Sequence, residues 1–198
     1  MSETAVVVID VQNDYCHPDG VFARAGLRVT DLDVLVERIN ALVAAARAGG
    51  HPVVWVRMEW DDDTQVGLLA DRSPFLAAEG LRTGTWGAAP VDELDRRPED
   101  VEVRKRRFSG FHRTRLDHVL AELDVGTIVV AGVRTDFCVE STVRDAFFRD
   151  LRVVVAEDAV AGYVEDLHRH SLRLMGTVFA EVRPVEEVAR TLSPVPAG

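Results

Sequence analysis

Short apolar runs alternate along the chain with longer segments in which apolar residues recur every three or four positions. The apolar runs are rich in β-branched residues and predict strands at residues 5–10, 52–56, 101–104, 127–133, 152–156 and 178–182. The periodic segments predict helices at residues 32–48, 115–123, 138–149, 165–175 and 185–191. Strands that are apolar on both faces and separated by helices are typical of parallel sheets covered on both sides. The pattern therefore predicts an α/β fold, a three-layer α/β/α sandwich with a Rossmann-like, mainly parallel sheet of about six strands.

Residues 60–97 interrupt this alternation. The segment is rich in Gly, Pro, Asp and Trp and has no sustained periodicity. A stretch of this length inside a compact domain is usually a functional loop, so we expect it to cover a pocket as a lid. With no linker or repeat elsewhere, we expect one domain over residues 1–192 and a flexible tail at 193–198.

Composition narrows the function classes. The net charge of −10 argues against nucleic acid or an anionic membrane surface as partner, because phosphate binding needs a basic face. No apolar run approaches the roughly 20 residues of a membrane span. Only two cysteines are present, Cys16 and Cys138, which is a poor disulfide framework. We therefore expect a cytoplasmic protein with free thiols.

Three reactive residues fall at predicted strand ends: Asp10, Lys105 and Cys138. In an open parallel sheet, ligands bind beyond the carboxyl ends of the strands. An aspartate could take the proton of a thiol and return it to a leaving amine, while a lysine could hold the charged pair. Backbone N–H groups at the helix start, together with the ammonium, would favour the thiolate and a developing oxyanion. This combination suits amide hydrolysis through a thioester.

Each of the three residues also has a purely structural explanation. A lone cysteine beside a buried strand is often a small packed apolar residue. An aspartate at a strand end is often a turn former. Lys105 precedes Arg106 and Arg107 and could be one of three solvated charges. Spacing alone leaves these alternatives open.

Four motifs resemble the isochorismatase-like cysteine hydrolase superfamily, in the same order and over roughly residues 5–182. They are "VVVIDVQNDY" (6–15), "KRRFSGF" (105–111), "GVRTDFCVESTVRDAFFRD" (132–150) and "VVVAEDAVAG" (153–162). The resemblance implies a catalytic triad of Asp10, Lys105 and Cys138. It also implies a non-proline cis peptide at Val133–Arg134 and an oxyanion hole formed by the N–H groups of Arg134 and Cys138.

Within that superfamily the chain looks most like the ureidoacrylate and carbamoyl amidohydrolase branch. "SGF" after the lysine, "CVESTVRDAFF" and "WVRMEWDDD" carry this likeness. The likeness implies hydrolysis of a terminal amide or ureido C–N bond of a small molecule, with no cofactor. Homo-oligomers are common in the family, so we also expect a homo-oligomer.

Two positions depart from the branch. Arg134 stands where a small residue is common, and Asp136 where the ureido branch tends to have Asn. The guanidinium of Arg134 could pair bidentately with a substrate carboxylate, or it could point outward to solvent or a partner subunit. Asn13, Trp60 and Phe137 are further candidates for substrate contacts, each with packing or a turn as the alternative.

Two competing functions stay open. Nicotinamidases of the same family typically bind a divalent metal through an Asp and several His after the second strand, but residues 58–65 contain no His. His168 and His170 are two positions apart on a predicted helix and so do not share a face. A catalytic metal is therefore not expected. A catalytically silent binding protein of the same fold is the second alternative, although all three triad residues are present.

Overall fold

A computed structural model describes residues 3–193. Within them lies one six-stranded parallel sheet in the order β3-β2-β1-β4-β5-β6. The strands are β1 (Glu3–Ile9), β2 (Val53–Met58), β3 (Val101–Lys105), β4 (Val125–Val133), β5 (Arg152–Ala161) and β6 (Glu181–Arg183). The predicted strand number and parallel direction are confirmed.

The helices follow the predicted alternation. They are α1 (Asn13–Cys16), α2 (Val21–Arg24), α3 (Leu32–Ala48), α4 (Leu69–Arg72), α5 (Pro74–Ala78), α6 (Leu116–Glu122), α7 (Glu140–Phe147), α8 (Glu165–Val178) and α9 (Val185–Leu192). A 3₁₀ turn at Asp63–Val66 and a π-helical turn at Thr135–Val139 complete the set. No helix of the described part is both long and apolar enough to cross a bilayer.

The chain crosses the sheet in two directions, and this creates three layers. From β1 it moves outward to β2 and β3, then returns across the sheet to β4 and continues to β5 and β6. Because parallel crossovers are right-handed, α3 covers one face and α6, α7 and α8 cover the other. The α9 helix packs beside α3 and against β5. The α/β/α sandwich predicted from the sequence is confirmed.

The central strands β1 and β4 lie very close together. Residues 5–9 of β1 are at most 1% exposed, so burial on both faces explains their unbroken apolar run. Gly132 pairs with Ile9 and has a φ of 114°. A Cβ at this position would lie 2.1 Å from the Ile9 carbonyl oxygen, so only glycine fits. The order in which the chain adds strands reverses between the parallel neighbours β1 and β4, and such a switch point is where open α/β sheets bind ligands.

The observed boundaries differ from the predicted ones before α7 and between α8 and β6. The helix expected to begin at Cys138 begins one turn earlier, because the Arg134 carbonyl accepts hydrogen bonds from the N–H groups of Phe137 and Val139. The strand expected at residues 178–182 is displaced toward the carboxyl end. The Met175 carbonyl accepts the N–H groups of both Phe179 and Ala180, which keeps the chain helical before β6.

The segment at residues 60–97 holds short helical turns and is fastened to the loop after β1 over much of its length. Gln12 donates to the Ala88 carbonyl at 2.8 Å, and Asp14 accepts the N–H of Leu81 at 2.6 Å. The N–H of Asn13 donates to the Ala89 carbonyl at 2.9 Å. Residues 81–91 therefore form a fixed wall. Of the expected tail at 193–198, only Ser193 belongs to the described residues.

Candidate active site

Asp10 directly follows β1, in the centre of the sheet. Its N–H donates to the Val56 carbonyl of β2 at 2.8 Å, which continues the ladder by one residue. Its φ is 53°, in the left-handed region where a non-glycine residue is uncommon. The side chain is completely buried. The turn out of the strand thus places a carboxylate at the carboxyl edge of the sheet.

Lys105 is the last residue of β3, two strands away from β1, and its long side chain crosses that distance. Its register partner is Met58 of β2. The ammonium lies 2.6 Å from Asp10 Oδ2, and it also donates to the Arg107 carbonyl at 3.2 Å. Both charged side chains are 0% exposed, so this ion pair is shielded from water. Lys105 is therefore not one of a run of solvated charges.

Cys138 lies in the π-helical turn between β4 and α7. Its Sγ is 3.4 Å from Lys105 Nζ, so one ammonium contacts both the carboxylate and the thiol. Cys138 is 1% exposed and has no disulfide partner. The structure brings together the three side chains that the sequence placed at three separate strand ends.

Burial controls the protonation of this group. Burial, with the nearby charge of Asp10, raises the pKa of Cys138 to about 12, although Lys105 acts in the opposite direction. Burial also raises the pKa of Asp10 despite the attraction of Lys105. For Lys105, burial would lower the pKa, but the charges of Asp10 and Cys138 outweigh it and the pKa is raised. Lys105 therefore favours the thiolate of Cys138, as expected, but burial and the charge of Asp10 have the larger effect on the pKa of the thiol.

The loop before Cys138 has the backbone conformation implied by the resemblance. The Val133–Arg134 peptide is cis. The hydrogen bonds among residues 3–193 leave the N–H of Arg134 unused. This free donor is four residues before the thiol, in the turn that carries it.

The Arg134 side chain folds back over the loop. Its Nε and Nη2 bind the two carboxylate oxygens of Asp136 at 3.3 and 2.7 Å. The guanidinium carbon lies 4.2 Å from the ring centre of Phe137 and 4.4 Å from that of Tyr163. Only 15% of the side chain is exposed, so it does not extend into solvent. Tyr163 comes from the loop after β5, and no sequence motif predicts its contact with Arg134.

The other candidate substrate contacts differ in how exposed their side chains are. Asn13 uses its amide to bind the Trp86 carbonyl at 2.9 Å, and Trp60 is fully buried, with its indole N–H on the Arg106 carbonyl at 3.3 Å. Both fasten residues 60–97 to the sheet edge. Phe137 is 37% exposed and is the most accessible of these side chains. Trp86, in the same segment, has a half-exposed ring.

His168 has a polar contact that the spacing of His168 and His170 did not predict. Its Nδ1 lies 2.8 Å from the hydroxyl oxygen of Thr135, at the start of the turn that carries the thiol. Burial lowers the pKa of His168, so it is neutral near pH 7. Among residues 3–193 no three His, Cys, Asp or Glu side chains are grouped in a way that could hold a metal ion.

Known proteins resemble this chain in sequence and in fold. The family model for the isochorismatase domain matches residues 4–187. Ureidoacrylate amidohydrolase RutB from Methylobacterium radiotolerans is 37% identical, with 98% of this chain and 83% of that protein covered. A cysteine hydrolase from Pseudomonas syringae pv. phaseolicola superposes with a TM-score of 0.87 at 33% identity, covering 96% of this chain and 92% of the other. For N-carbamoylsarcosine amidase from Thermoplasma acidophilum the TM-score is 0.75 at 26% identity, with 93% and 97% covered. The chain belongs to the isochorismatase domain family.

Proposed function

We propose that this protein is a cysteine amidohydrolase that cleaves the terminal amide or ureido C–N bond of a small molecule through a thioester. The observation that carries the proposal is the position of Lys105 Nζ, 2.6 Å from Asp10 Oδ2 and 3.4 Å from Cys138 Sγ. Two of the relatives are named as an amidohydrolase and an amidase and carry "ureido" and "carbamoyl" in their names. Their names support a hydrolase of non-peptide C–N bonds.

In the first half of the reaction, Cys138 Sγ bonds to the carbonyl carbon while its proton passes to Asp10. Asp10 then gives that proton to the departing nitrogen as the C–N bond breaks. Ammonia or an amine leaves, and the acyl group remains on sulfur. Because burial raises the pKa of Cys138 to about 12, the proposed attack is coupled to proton transfer, with Asp10 as the nearby base.

In the second half, water attacks the thioester and gives one proton to Asp10. The C–S bond breaks, and the sulfur recovers that proton as the acid or carbamate leaves. Lys105 stays an ammonium throughout and offsets the charge of Asp10. The backbone N–H groups of Arg134 and Cys138 serve as the oxyanion donors, and the unused N–H of Arg134 supports this assignment. An oxyanion donor contributes about 3–4 kcal/mol in well-studied hydrolases.

Ammonia release from a panel of small molecules tests the proposal. The panel should hold ureido acids, N-carbamoyl amino acids, simple linear amides and nicotinamide, with the Cys138→Ala variant as the control. We expect turnover of compounds with a terminal carbamoyl or amide group and none by the variant. Turnover of nicotinamide alone would indicate a nicotinamidase, and no turnover by the wild type would indicate a binding protein. Equal rates for the two proteins would reject the mechanism.

Arg134, Phe137, Asn13 and Trp60 are proposed to shape the substrate site. The rings of Phe137 and Tyr163 lie 4.2 and 4.4 Å from the guanidinium carbon of Arg134, and Asp136 binds its Nε and Nη2, so Nη1 is the group proposed to meet a substrate carboxylate. Arg134→Ala should then lose activity mainly on carboxylated substrates. Equal losses on carboxylated and neutral amides would reject this role.

A further inference from the structure

The loop that follows Lys105 lies along the helix that carries Cys138. Cys138, Thr142 and Asp145 are spaced by four and three positions and so share one face of that helix. Residues 105–110 run beside this face and contact all three. The contacts form three successive links between the strand end that supplies the ammonium and the turn that supplies the thiol.

The first link is catalytic and the second lies directly behind it. Lys105 Nζ contacts Cys138 Sγ at 3.4 Å. Behind the thiol, the Thr142 hydroxyl accepts the N–H of Gly110 at 2.9 Å and donates to the Cys138 carbonyl at 2.6 Å. Thr142 is 0% exposed, so both bonds are shielded from water. One hydroxyl therefore ties the lysine loop to the backbone of the nucleophile itself.

The third link lies one residue before the second in the loop and three positions further along the helix. The Ser109 hydroxyl donates to a carboxylate oxygen of Asp145, and it accepts the N–H of Phe111 at 3.1 Å. Gly110 allows the loop to approach this closely. A Cβ there would lie 3.1 Å from Leu116 Cδ2 and 3.3 Å from Thr142 Cγ2, tighter than ordinary packing. The position of the loop is thus set by hydrogen bonds at two points beyond the lysine.

We propose that Thr142 is a positioning residue that sets the contact between Lys105 Nζ and Cys138 Sγ, with Ser109 and Asp145 supporting it. The inference rests on the proposed function for its kinetic consequence but not for its geometry. A helical threonine commonly donates to the carbonyl four residues back, but a residue that only packed in the core would not also accept the N–H of Gly110 from another loop. Here the same oxygen makes both.

The test compares Thr142→Val, which keeps the shape and removes both bonds, with Thr142→Ser, which keeps both. Thr191→Val is the control for the substitution itself, because Thr191 is an exposed helical threonine whose hydroxyl donates to the Val188 carbonyl of its own helix, α9, at 2.7 Å. A misplacement near 1 Å costs about 100-fold in rate, so Thr142→Val should lower kcat by about 10- to 100-fold. KM should change by less than about threefold, while Thr142→Ser and Thr191→Val stay within about threefold of wild type.

A second readout does not depend on the substrate. In a Cys16→Ala background, the pH dependence of iodoacetamide alkylation reports the protonation of Cys138 directly. Moving the ammonium away from sulfur should shift this profile to higher pH in Thr142→Val and leave it unchanged in Thr142→Ser. The alkylation profile still tests the role of Thr142 if the wild type releases no ammonia. Failure of the proposed function and failure of this inference can therefore be distinguished.

Unchanged kcat and an unchanged alkylation profile in Thr142→Val would overturn the inference. A fall in kcat that only follows the fraction of folded protein, measured by thermal unfolding, would also overturn it. If Thr142→Val does not fold, Ser109→Ala removes the third link at the edge of the loop instead. It should lower kcat by about three- to tenfold and move the alkylation profile to higher pH. If neither changes, the inference is overturned.

Discussion

Two free thiols in this protein differ in their neighbours rather than in their burial. Cys16 and Cys138 are both 5% exposed or less, and burial raises the pKa of each above that of an ordinary cysteine. The charge of Asp10 raises both pKa values further. The thiol of Cys138 lies against Lys105, whereas Lys105 is not among the groups that shift the pKa of Cys16. Burial alone yields an inert thiol, so the contact with Lys105 is what distinguishes Cys138, the proposed nucleophile, from Cys16.

Replacement of the two cysteines should give the largest contrast. Loss of a nucleophile in a hydrolase removes nearly all chemical-step acceleration, so Cys138→Ala should lower kcat by about 10⁴-fold or more. Cys16→Ala removes only a packed sulfur and should leave kcat within about threefold. Ammonia release under saturating substrate measures both. A comparable loss in the two variants would remove the distinction between the thiols.

Neutralising the carboxylate should have the next largest effect. Asp10→Asn removes the base and should lower kcat by about 10²- to 10⁴-fold. It also leaves Lys105 as a buried charge without its partner, which should cost about 3–5 kcal/mol of unfolding free energy. Chemical denaturation measures this cost.

Glu186→Gln is the matched control for that stability change. Glu186 pairs with Arg190 at 2.8 Å, with both side chains more than 60% exposed. Loss of such an exposed helical pair should cost about 0.5 kcal/mol or less. Equal losses of unfolding free energy in Asp10→Asn and Glu186→Gln would show that the ion pair between Asp10 and Lys105 is not shielded from water.

Activity should fall on the acid side because Asp10 must be ionised to act. Its pKa is raised by burial, so protonation begins at a higher pH than for an exposed aspartate, whose pKa is about 3.9. As the pH falls through this raised pKa, kcat/KM should decrease by about tenfold per unit. The pH profile of the wild type measures this acidic decrease in kcat/KM. If the residual activity of Asp10→Asn shows the same decrease, the titrating group is not Asp10.

Part of the site and of the sheet can be predicted from the sequence. The motifs around Asp10, Lys105 and Cys138 mark all three residues, because strand ends and unusual residue types are visible in one chain. The apolar runs of β1 and β4 are equally visible, since strands buried on both faces need no polar positions. Strand order is not visible, and it alone brings Lys105 on β3 within reach of β1.

Features that depend on individual hydrogen bonds were missed. The turn that carries Cys138 is π-helical because the Arg134 carbonyl accepts the N–H of Val139, five residues on. The second half of β5 was missed because its charged residues Glu157 and Asp158 break the apolar run, although pairing with β4 continues to Ala161. The raised pKa of Cys138 depends on burial, which no local sequence pattern reveals.

The central claim is that substrate becomes bonded to the sulfur of Cys138. Rapid acid quenching during turnover, sampled from milliseconds to completion and followed by peptide mass mapping, tests it most directly. The account predicts a transient mass increase equal to the acyl group on the peptide that contains Cys138, and an unchanged mass for the peptide that contains Cys16. An adduct on Cys16 or on any other side chain, or ammonia release with both peptides unmodified throughout, would contradict it.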